Sequence, residues 1–280
     1  MSLMRPSLIP GLLGNLSHNL RRGEKEVRLY ELASTFQGVN PKGKAPAPKS
    51  DKGPAGEDSW ALEQPTVAGL LSGSRSVLSF DKPLEEVDYY DLKGVVSTFL
   101  SSARMRGASV VFEPAHDQVP FLHPKSATFV YLENEGTKTL CGVLGETHPA
   151  LMELLNISEK AFVFEIDLAI LANRVNQVVK AVGLPKFPSV KRDFALLMDD
   201  SVPAGEIVDA IKGHEGLENL LEDVEIFDVY RGSNLPEHKK SIAVSLVLRA
   251  ADRTLTDVEV QNGTELLLKT LSERLGAEIR

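Results

Sequence analysis

The stretch Ser241-Ile242-Ala243-Val244-Ser245-Leu246-Val247-Leu248-Arg249 alternates large aliphatic residues with residues that are mostly smaller or polar. Successive side chains of a β-strand point to opposite faces of its sheet, so the alternation predicts a strand with two unlike faces. One face carries the large aliphatic side chains of Ile242, Val244, Leu246 and Leu248. The other carries Ser241, Ala243, Ser245, Val247 and Arg249. We expect the aliphatic face to pack on helices and the second face to be open.

The elements on either side of this strand predict a small two-layer domain over residues 188–280. In chain order they are a strand (194–198), a helix (203–213), a strand (224–230), the quoted strand (241–249), a helix from 256 and a short strand (277–280). Pro203 and Gly213 are typical of a helix start and a helix end. Thr256 and Glu259 have the spacing of a capping box. The order βαββαβ is that of ferredoxin-like domains, with both helices on one sheet face.

The preceding residues, 5–171, predict a mixed α+β module. Its helices are expected at 7–22 and 88–104, and its strands at 27–36, 62–72, 109–113, 127–132, 139–145 and 162–167. Residues 38–59 are rich in Gly, Pro, Lys and Ser, which predicts a mobile surface insertion of unknown role. Residues 172–187 are interpreted as a connector to the second domain. The fold class is therefore α+β, with two domains.

Charge and composition exclude several classes of protein. The chain has 280 residues and a net charge of −8. Its single cysteine argues against a disulfide scaffold and suits the reducing cytoplasm. No run approaches the roughly 18 apolar residues of a membrane span, so we expect no membrane association. Residues 188–280 hold 11 basic and 18 acidic residues, a net charge of −7. This acidity argues against bulk electrostatic binding of nucleic acid.

Side-chain types on the second strand nevertheless favour a nucleic-acid reader. We expect Phe227 and Val229 to pack inward. Four residues are expected to face out, namely Val224, Ile226, Asp228 and Tyr230. Together with Ser241 of the quoted strand, the outward aromatic and acid are typical of a face that binds unpaired bases, because rings stack on bases and polar groups contact base edges. Stacking contributes about 1–3 kcal/mol per base, so one tyrosine matters even in an acidic domain.

Eight motifs in collinear order resemble the beta subunits of bacterial phenylalanyl-tRNA synthetases. Four lie in or at the start of the second domain, namely FPSVKRDFAL from 187, FDVYRG from 227, LPEHKKS from 235 and RTLTD from 253. Four lie in the first, namely MRPSLIPGLL from 4, LYEL from 29, HPKSA from 123 and GVLGETHP from 142. The resemblance covers nearly the whole chain. It implies that these 280 residues are a C-terminal piece of a longer subunit, beginning after a Met1-Ser2-Leu3 expression scar.

The resemblance also implies the setting in which the chain works. The family forms a heterotetramer of two alpha and two beta subunits that charges tRNA-Phe with phenylalanine, using ATP and magnesium. The alpha subunit holds the catalytic site, and residues 5–171 would be an inactive class II synthetase-like module that contacts it. In agreement, the stretches at 34–37 and 142–146 lack the arginines that a class II site needs. We therefore expect no catalytic residue, metal ligand or cofactor in this chain.

Carried over by position, three residues resemble those that contact the anticodon. Tyr230 would stack on the first anticodon base, a guanine. Asp228 would accept hydrogen bonds from the ring N–H and the exocyclic amine of that base, and Ser241 would bond a base edge or the sugar. Four basic residues are expected to neutralise phosphates, namely Arg231, Lys239, Lys240 and Arg249.

Two other functions remain open from the sequence. The chain could be an active class II relative, such as a ligase of the biotin or lipoate type, or an interaction scaffold whose sheet binds a peptide. His123 and His148 each precede a proline, and we expect structural contacts from both. The Glu-x-x-His spacing at 113–116 is not expected to bind metal, because Pro114 precludes a regular helix. Cys141 lies in an apolar strand and is interpreted as an inert core thiol.

Overall fold

The computed structural model describes residues 4–38, 61–76, 79–81, 83–105, 107–172, 174–175, 183–217 and 219–279. The chain divides into two compact units, Met1–Val179 and Lys180–Arg280. Except for Gly38, the insertion predicted at 38–59 lies outside the described residues, as does much of the connector predicted at 172–187. No helix within the described ranges is long and apolar enough to cross a membrane.

The first unit is built on one antiparallel sheet of six strands. The strands are β1 (Val27–Gly38), β2 (Ala61–Ser72), β3 (Ser109–Pro114), β4 (Thr128–Asn134), β5 (Thr137–Glu146) and β6 (Ala161–Asp167). The helices are α1 (Ile9–Leu20), α2 (Tyr89–Ser102), α3 (Pro149–Leu154) and α4 (Leu168–Ala172). The strand order across the sheet is β1-β2-β6-β5-β4-β3. Each of these elements was expected from the sequence except the short helices α3 and α4.

Both faces of this sheet are covered, because alternate residues of its central strands enter two separate cores. On β2, Ala68 and Leu70 pack with the buried face of α1, while Val67 packs with the buried face of α2. The amide at the start of α1, on Leu8, donates to the Glu165 carboxylate at 2.7 Å. A side chain of β6 thereby fixes the start of the helix that covers one face.

The second unit has the order βαββαβ that the sequence predicts. Its elements are β7 (Val190–Asp199), α5 (Ala204–Lys212), β8 (Leu221–Tyr230), β9 (Lys239–Leu248), α6 (Asp257–Leu275) and β10 (Glu278–Ile279). The sheet order is β10-β7-β9-β8, all antiparallel, so β8 forms one edge. Helix α6 begins at the expected capping box, in which Thr256 and Glu259 each accept from the backbone amide of the other. It ends at Gly276, whose φ of 62° is left-handed.

One core joins the two helices to the sheet. The aliphatic face of β9 is fully buried and packs with Ile207 and Ile211 of α5 and with Leu267 and Leu271 of α6. The orientation predicted for this face is confirmed. Both helices therefore cover the same face of the sheet, and the opposite face is not covered by them.

Candidate nucleic-acid interface

The strand register places the predicted aromatic and acidic residues on the sheet face away from the helices. Asp228 lies opposite Ala243, and Tyr230 lies opposite Ser241. Both β9 residues alternate with the buried aliphatic ones, so Asp228 and Tyr230 share the open face. Asp228 is exposed, and 38% of Tyr230 is accessible to solvent.

A β-bulge in β8 overturns part of the predicted face assignment. Ile226 lies opposite Val244 and Asp228 lies opposite Ala243, so Phe227 is an extra residue without a partner on β9. Val224 and Ile226 pack against the core, although we expected them to face out. Phe227, which we expected to be inward, is 55% exposed. One inserted residue inverts the alternation beyond it, and the sequence shows no signal for the insertion.

The ring of Tyr230 approaches Gly232 closely. A Cβ atom at Gly232 would lie within 3.0 Å of the Tyr230 hydroxyl oxygen and of two ring carbons. The missing side chain of Gly232 therefore makes the room in which the end of the tyrosine ring lies. Tyr230 and Asp228 thus place a partly exposed aromatic residue and a carboxylate on one sheet face, a combination that suits an unpaired base.

Ser241 and Lys240 are less accessible than we expected. Ser241 is only 6% exposed, flanked in the sheet by Leu197 on one side and Tyr230 on the other. Lys240 is 5% exposed, and its Nζ donates to the backbone carbonyls of Asp200 at 2.7 Å and Val202 at 2.6 Å. Burial lowers the pKa of Lys240. Its ammonium joins the turn after β7 to β9, and this buried position does not favour the predicted phosphate contact by Lys240.

The other three predicted cations differ in position. Arg231 is exposed, and its Nε donates to the Asp200 carboxylate at 2.7 Å. Lys239 is partly exposed at the start of β9, opposite Asp199. Arg249 lies at the far end of β9, about 27 Å from Ser241 at the usual rise per residue. Its guanidinium donates to Glu222 at 2.8 Å and to the Phe187 carbonyl. The structure therefore brings Arg231 and Lys239 to the end of the sheet that holds Tyr230, but not Arg249.

The first unit contains an apolar cavity of about 530 Å³ between its sheet and helix α2. Its lining includes Tyr30, Leu71, Phe99 and Phe164, and among the described residues one arginine, Arg28. The Arg28 guanidinium donates to the backbone carbonyls of residues 74 and 75, at 3.2 and 2.7 Å. Among the described lining residues the cavity therefore has a single guanidinium, one nitrogen of which is held by two backbone carbonyls.

The remaining candidate residues of the first unit have structural contacts. The Nδ1 atoms of His123 and His148 each accept from the backbone amide two residues further on, at 3.2 Å. Cys141 is buried and donates to the Val130 carbonyl, and burial raises the pKa of its thiol to about 11. Within the described ranges, no group of three or more His, Cys, Asp or Glu residues could hold a metal ion.

Two family models match this chain, one in each unit. Residues 185–280 match the family described as the ferredoxin-fold anticodon binding domain, which gives the class of the second unit. Residues 1–168 match the phenylalanyl tRNA synthetase beta chain CLM domain. The chain therefore belongs to the phenylalanyl-tRNA synthetase beta chain family, as the motifs indicated.

Sequence matches to known relatives cover the whole chain. The phenylalanine–tRNA ligase beta subunits of Clostridium tetani and Moorella thermoacetica are 35% and 36% identical over 279 residues. In each comparison the match covers 100% of this chain and 31% of the relative, so the chain spans about a third of their length. Among solved structures, pyrrolysyl-tRNA synthetase from Desulfitobacterium hafniense is similar over 60% of this chain and 48% of that one, with 16% identity and a TM-score of 0.37.

Proposed function

We propose that this chain binds the anticodon of tRNA-Phe as part of a phenylalanine–tRNA ligase beta subunit and performs no chemistry itself. The observation that carries the proposal is the exposed ring of Tyr230 beside Asp228 on the open face of the second unit. That unit matches an anticodon-binding domain. The ring would stack on the first anticodon base, and the carboxylate would accept hydrogen bonds from a guanine there.

The cations near this ring would position the RNA rather than select it. Arg231 and Lys239 are accessible at the same end of the sheet and would contact phosphates. Lys240 and Arg249 would serve the scaffold. Ser241, flanked by Tyr230, would bond the base or sugar only through the small part of its side chain that is exposed.

The acidity of the second unit sets the expected strength of binding. Residues 188–280 carry a net charge of −7, so long-range attraction to phosphate is lacking and binding should be local and weak. Most of the affinity for tRNA would come from other parts of the ligase. We propose that the chain works there beside a catalytic alpha subunit, in a cytoplasmic heterotetramer with two copies of each subunit. That complex would use ATP and magnesium for charging.

The first unit would support the alpha subunit instead of acting as a second catalytic site. A class II site needs arginines that hold the ATP phosphates, and the guanidinium of Arg28 at the apolar cavity is engaged by backbone carbonyls. To test this, the chain is incubated with ATP, phenylalanine and magnesium in a preparation free of host synthetase. We expect no phenylalanyl adenylate. Its formation would show that the chain is an active ligase relative.

The anticodon proposal is tested by titrating the chain with an RNA hairpin that carries the anticodon arm of a phenylalanine tRNA. Tyr230→Ala should weaken binding at least about fivefold, which corresponds to the lower limit of about 1 kcal/mol for stacking. Tyr230→Phe, which keeps the ring, should retain most of the affinity. Tyr30→Ala removes an exposed tyrosine of the first unit and serves as the control. Equal affinity of the wild type and Tyr230→Ala would contradict the stacking role.

The cation roles are tested through salt dependence. Removing one phosphate contact lowers the slope of log affinity against log salt concentration by about one, and it weakens binding to all sequences alike. Lys239→Gln should show this change in slope, whereas Lys240→Met should not. The opposite pattern would mean that Lys240 leaves its backbone partners to contact RNA.

A further inference from the structure

The bulge in β8 adds a second aromatic ring to the open face. Ile226 lies opposite Val244 on the core side, so the following residue, Phe227, points to the open side. In the bulge Phe227 and Asp228 together oppose the single residue Ala243. The side chain of Phe227 is 55% exposed and does not take part in the core of the second unit among the described residues.

The positions of the two rings fit successive unpaired bases. Phe227 is level with Ala243 and Tyr230 is level with Ser241, two residues apart on β9, which is about 7 Å at the usual strand rise. That is twice the spacing of about 3.4 Å between bases stacked in a duplex strand. The end of the Tyr230 ring lies against Gly232, two residues further along the chain. The rings are therefore placed to take one base each rather than to enclose one base between them.

We propose that Phe227 is a second base-stacking platform, which holds the nucleotide next to the one on Tyr230. This inference rests on the proposed anticodon binding by Tyr230 and deepens it. Phe227 offers only an apolar ring, so it would bind any base by its flat face and read no identity. Recognition of a particular base would remain with the carboxylate of Asp228, which lies on the same sheet face. The expected ligand is thus a splayed, single-stranded RNA segment of at least two nucleotides.

Pairing with a further β-strand is the main alternative use of this edge, and the geometry of β8 disfavours it. The strand has two irregularities, between Leu221 and Asp223 and between Ile226 and Asp228, which break the row of backbone groups that another strand would need. Three exposed acids, Glu222, Asp223 and Glu225, lie along the same edge. A bulged and charged edge is how proteins prevent strand addition.

The experiment measures binding of the anticodon-arm hairpin to the full chain carrying Phe227→Ala, Phe227→Leu or Phe227→Trp. Phe227→Ala should weaken binding at least about fivefold. Phe227→Leu keeps apolar volume without a ring and should weaken it nearly as much, whereas Phe227→Trp should retain or improve it. The control is Leu266→Ala, which removes a side chain of similar exposure, 51%, from helix α6. Thermal denaturation of each variant confirms that the fold is retained.

A second measurement, 2-aminopurine fluorescence, identifies which loop base stacks on Phe227. The hairpin is synthesised with 2-aminopurine in turn at each loop position, and stacking on protein quenches its fluorescence. Loss of quenching in Phe227→Ala at a position next to the one affected by Tyr230→Ala supports the proposal. If Tyr230→Ala weakens binding and Phe227→Ala matches Leu266→Ala, the Phe227 platform is wrong while anticodon binding stands. If neither Phe227→Ala nor Tyr230→Ala changes affinity, the proposed function itself fails.

Discussion

The close approach of Tyr230 to Gly232 yields a sharp prediction. In Gly232→Ala, the new Cβ would lie within 3.0 Å of the tyrosine hydroxyl oxygen and two ring carbons, so the ring must move. The end of a tyrosine side chain swings more easily than backbone, so the free energy of unfolding should change by less than about 1 kcal/mol, as for most surface substitutions. RNA affinity should fall by much of the stacking contribution, about 1–3 kcal/mol or roughly 5- to 150-fold.

The assay is a double-mutant cycle on hairpin binding with Gly232→Ala, Tyr230→Ala and the double variant. If the glycine acts by positioning the ring, the double variant should bind as weakly as Tyr230→Ala alone. Gly183→Ala is the control, since a Cβ there meets no atom within 4 Å. Additive losses from the two single variants would refute the reasoning, because Gly232 would then contribute to binding independently of the tyrosine.

Four further predictions concern stability, measured by chemical denaturation. Lys240→Met should lower the free energy of unfolding by about 1–3 kcal/mol, because two backbone carbonyls lose their buried donor; unchanged stability would show that water replaces the ammonium. Burial raises the pKa of Glu165, so the folded state favours the protonated carboxyl. The stabilisation of the fold by Glu165 is therefore greatest below its unfolded pKa near 4.5, and it is lost as the pH rises through the pKa of the folded state. Glu165→Gln keeps an acceptor for the Leu8 amide and should gain stability over the wild type as pH rises; a pH-independent difference would refute this. Thr256→Ala should cost about 0.5–2 kcal/mol as a lost helix cap. Hydrogen bonds from Thr256 and the nearby Arg253 hold the pKa of Glu259 at about 2. The stabilisation of the fold by the Glu259 carboxylate is therefore present above pH 4.5 and is lost as the pH falls toward 2. Glu259→Gln should abolish this loss of stability at low pH.

In the second unit, the features that the sequence predicts correctly depend on short-range patterns, such as alternating residues and a capping box. The alternation at Ile242, Val244, Leu246 and Leu248 is strict, so it gives the strand, its buried face and the position of the helices. The capping box at Thr256 and Glu259 is equally local and gives the start of α6. The alternation in β8 also predicted an outward Tyr230, but this agrees with the structure only because the bulge at Phe227 shifts the alternation after Ile226.

Two features of the site could not be predicted from the sequence, because each depends on residues that are distant along the chain. The bulge at Phe227 arises from how β8 fits against β9, and no residue in FDVYRG demands it. The burial of Lys240 depends on two carbonyls of the turn after β7, 38 to 40 residues away in the chain. Two adjacent lysines at the start of a strand predict a charged, exposed surface. Only the tertiary contacts show that Lys240 is buried while Lys239 is partly exposed.

The central claim is that the open sheet face of the second unit holds an unpaired RNA loop. The most direct test is NMR mapping of backbone amides during titration of the isotope-labelled chain with the anticodon-arm hairpin. We expect shifts at the end of β8 and just after it, from 226 to 231, and at the start of β9, from 239 to 243, with helices α5 and α6 unaffected. A hairpin with a scrambled loop should cause weaker shifts at the same positions. Shifts that map to the helices, or none when the hairpin is in large excess, would contradict the claim.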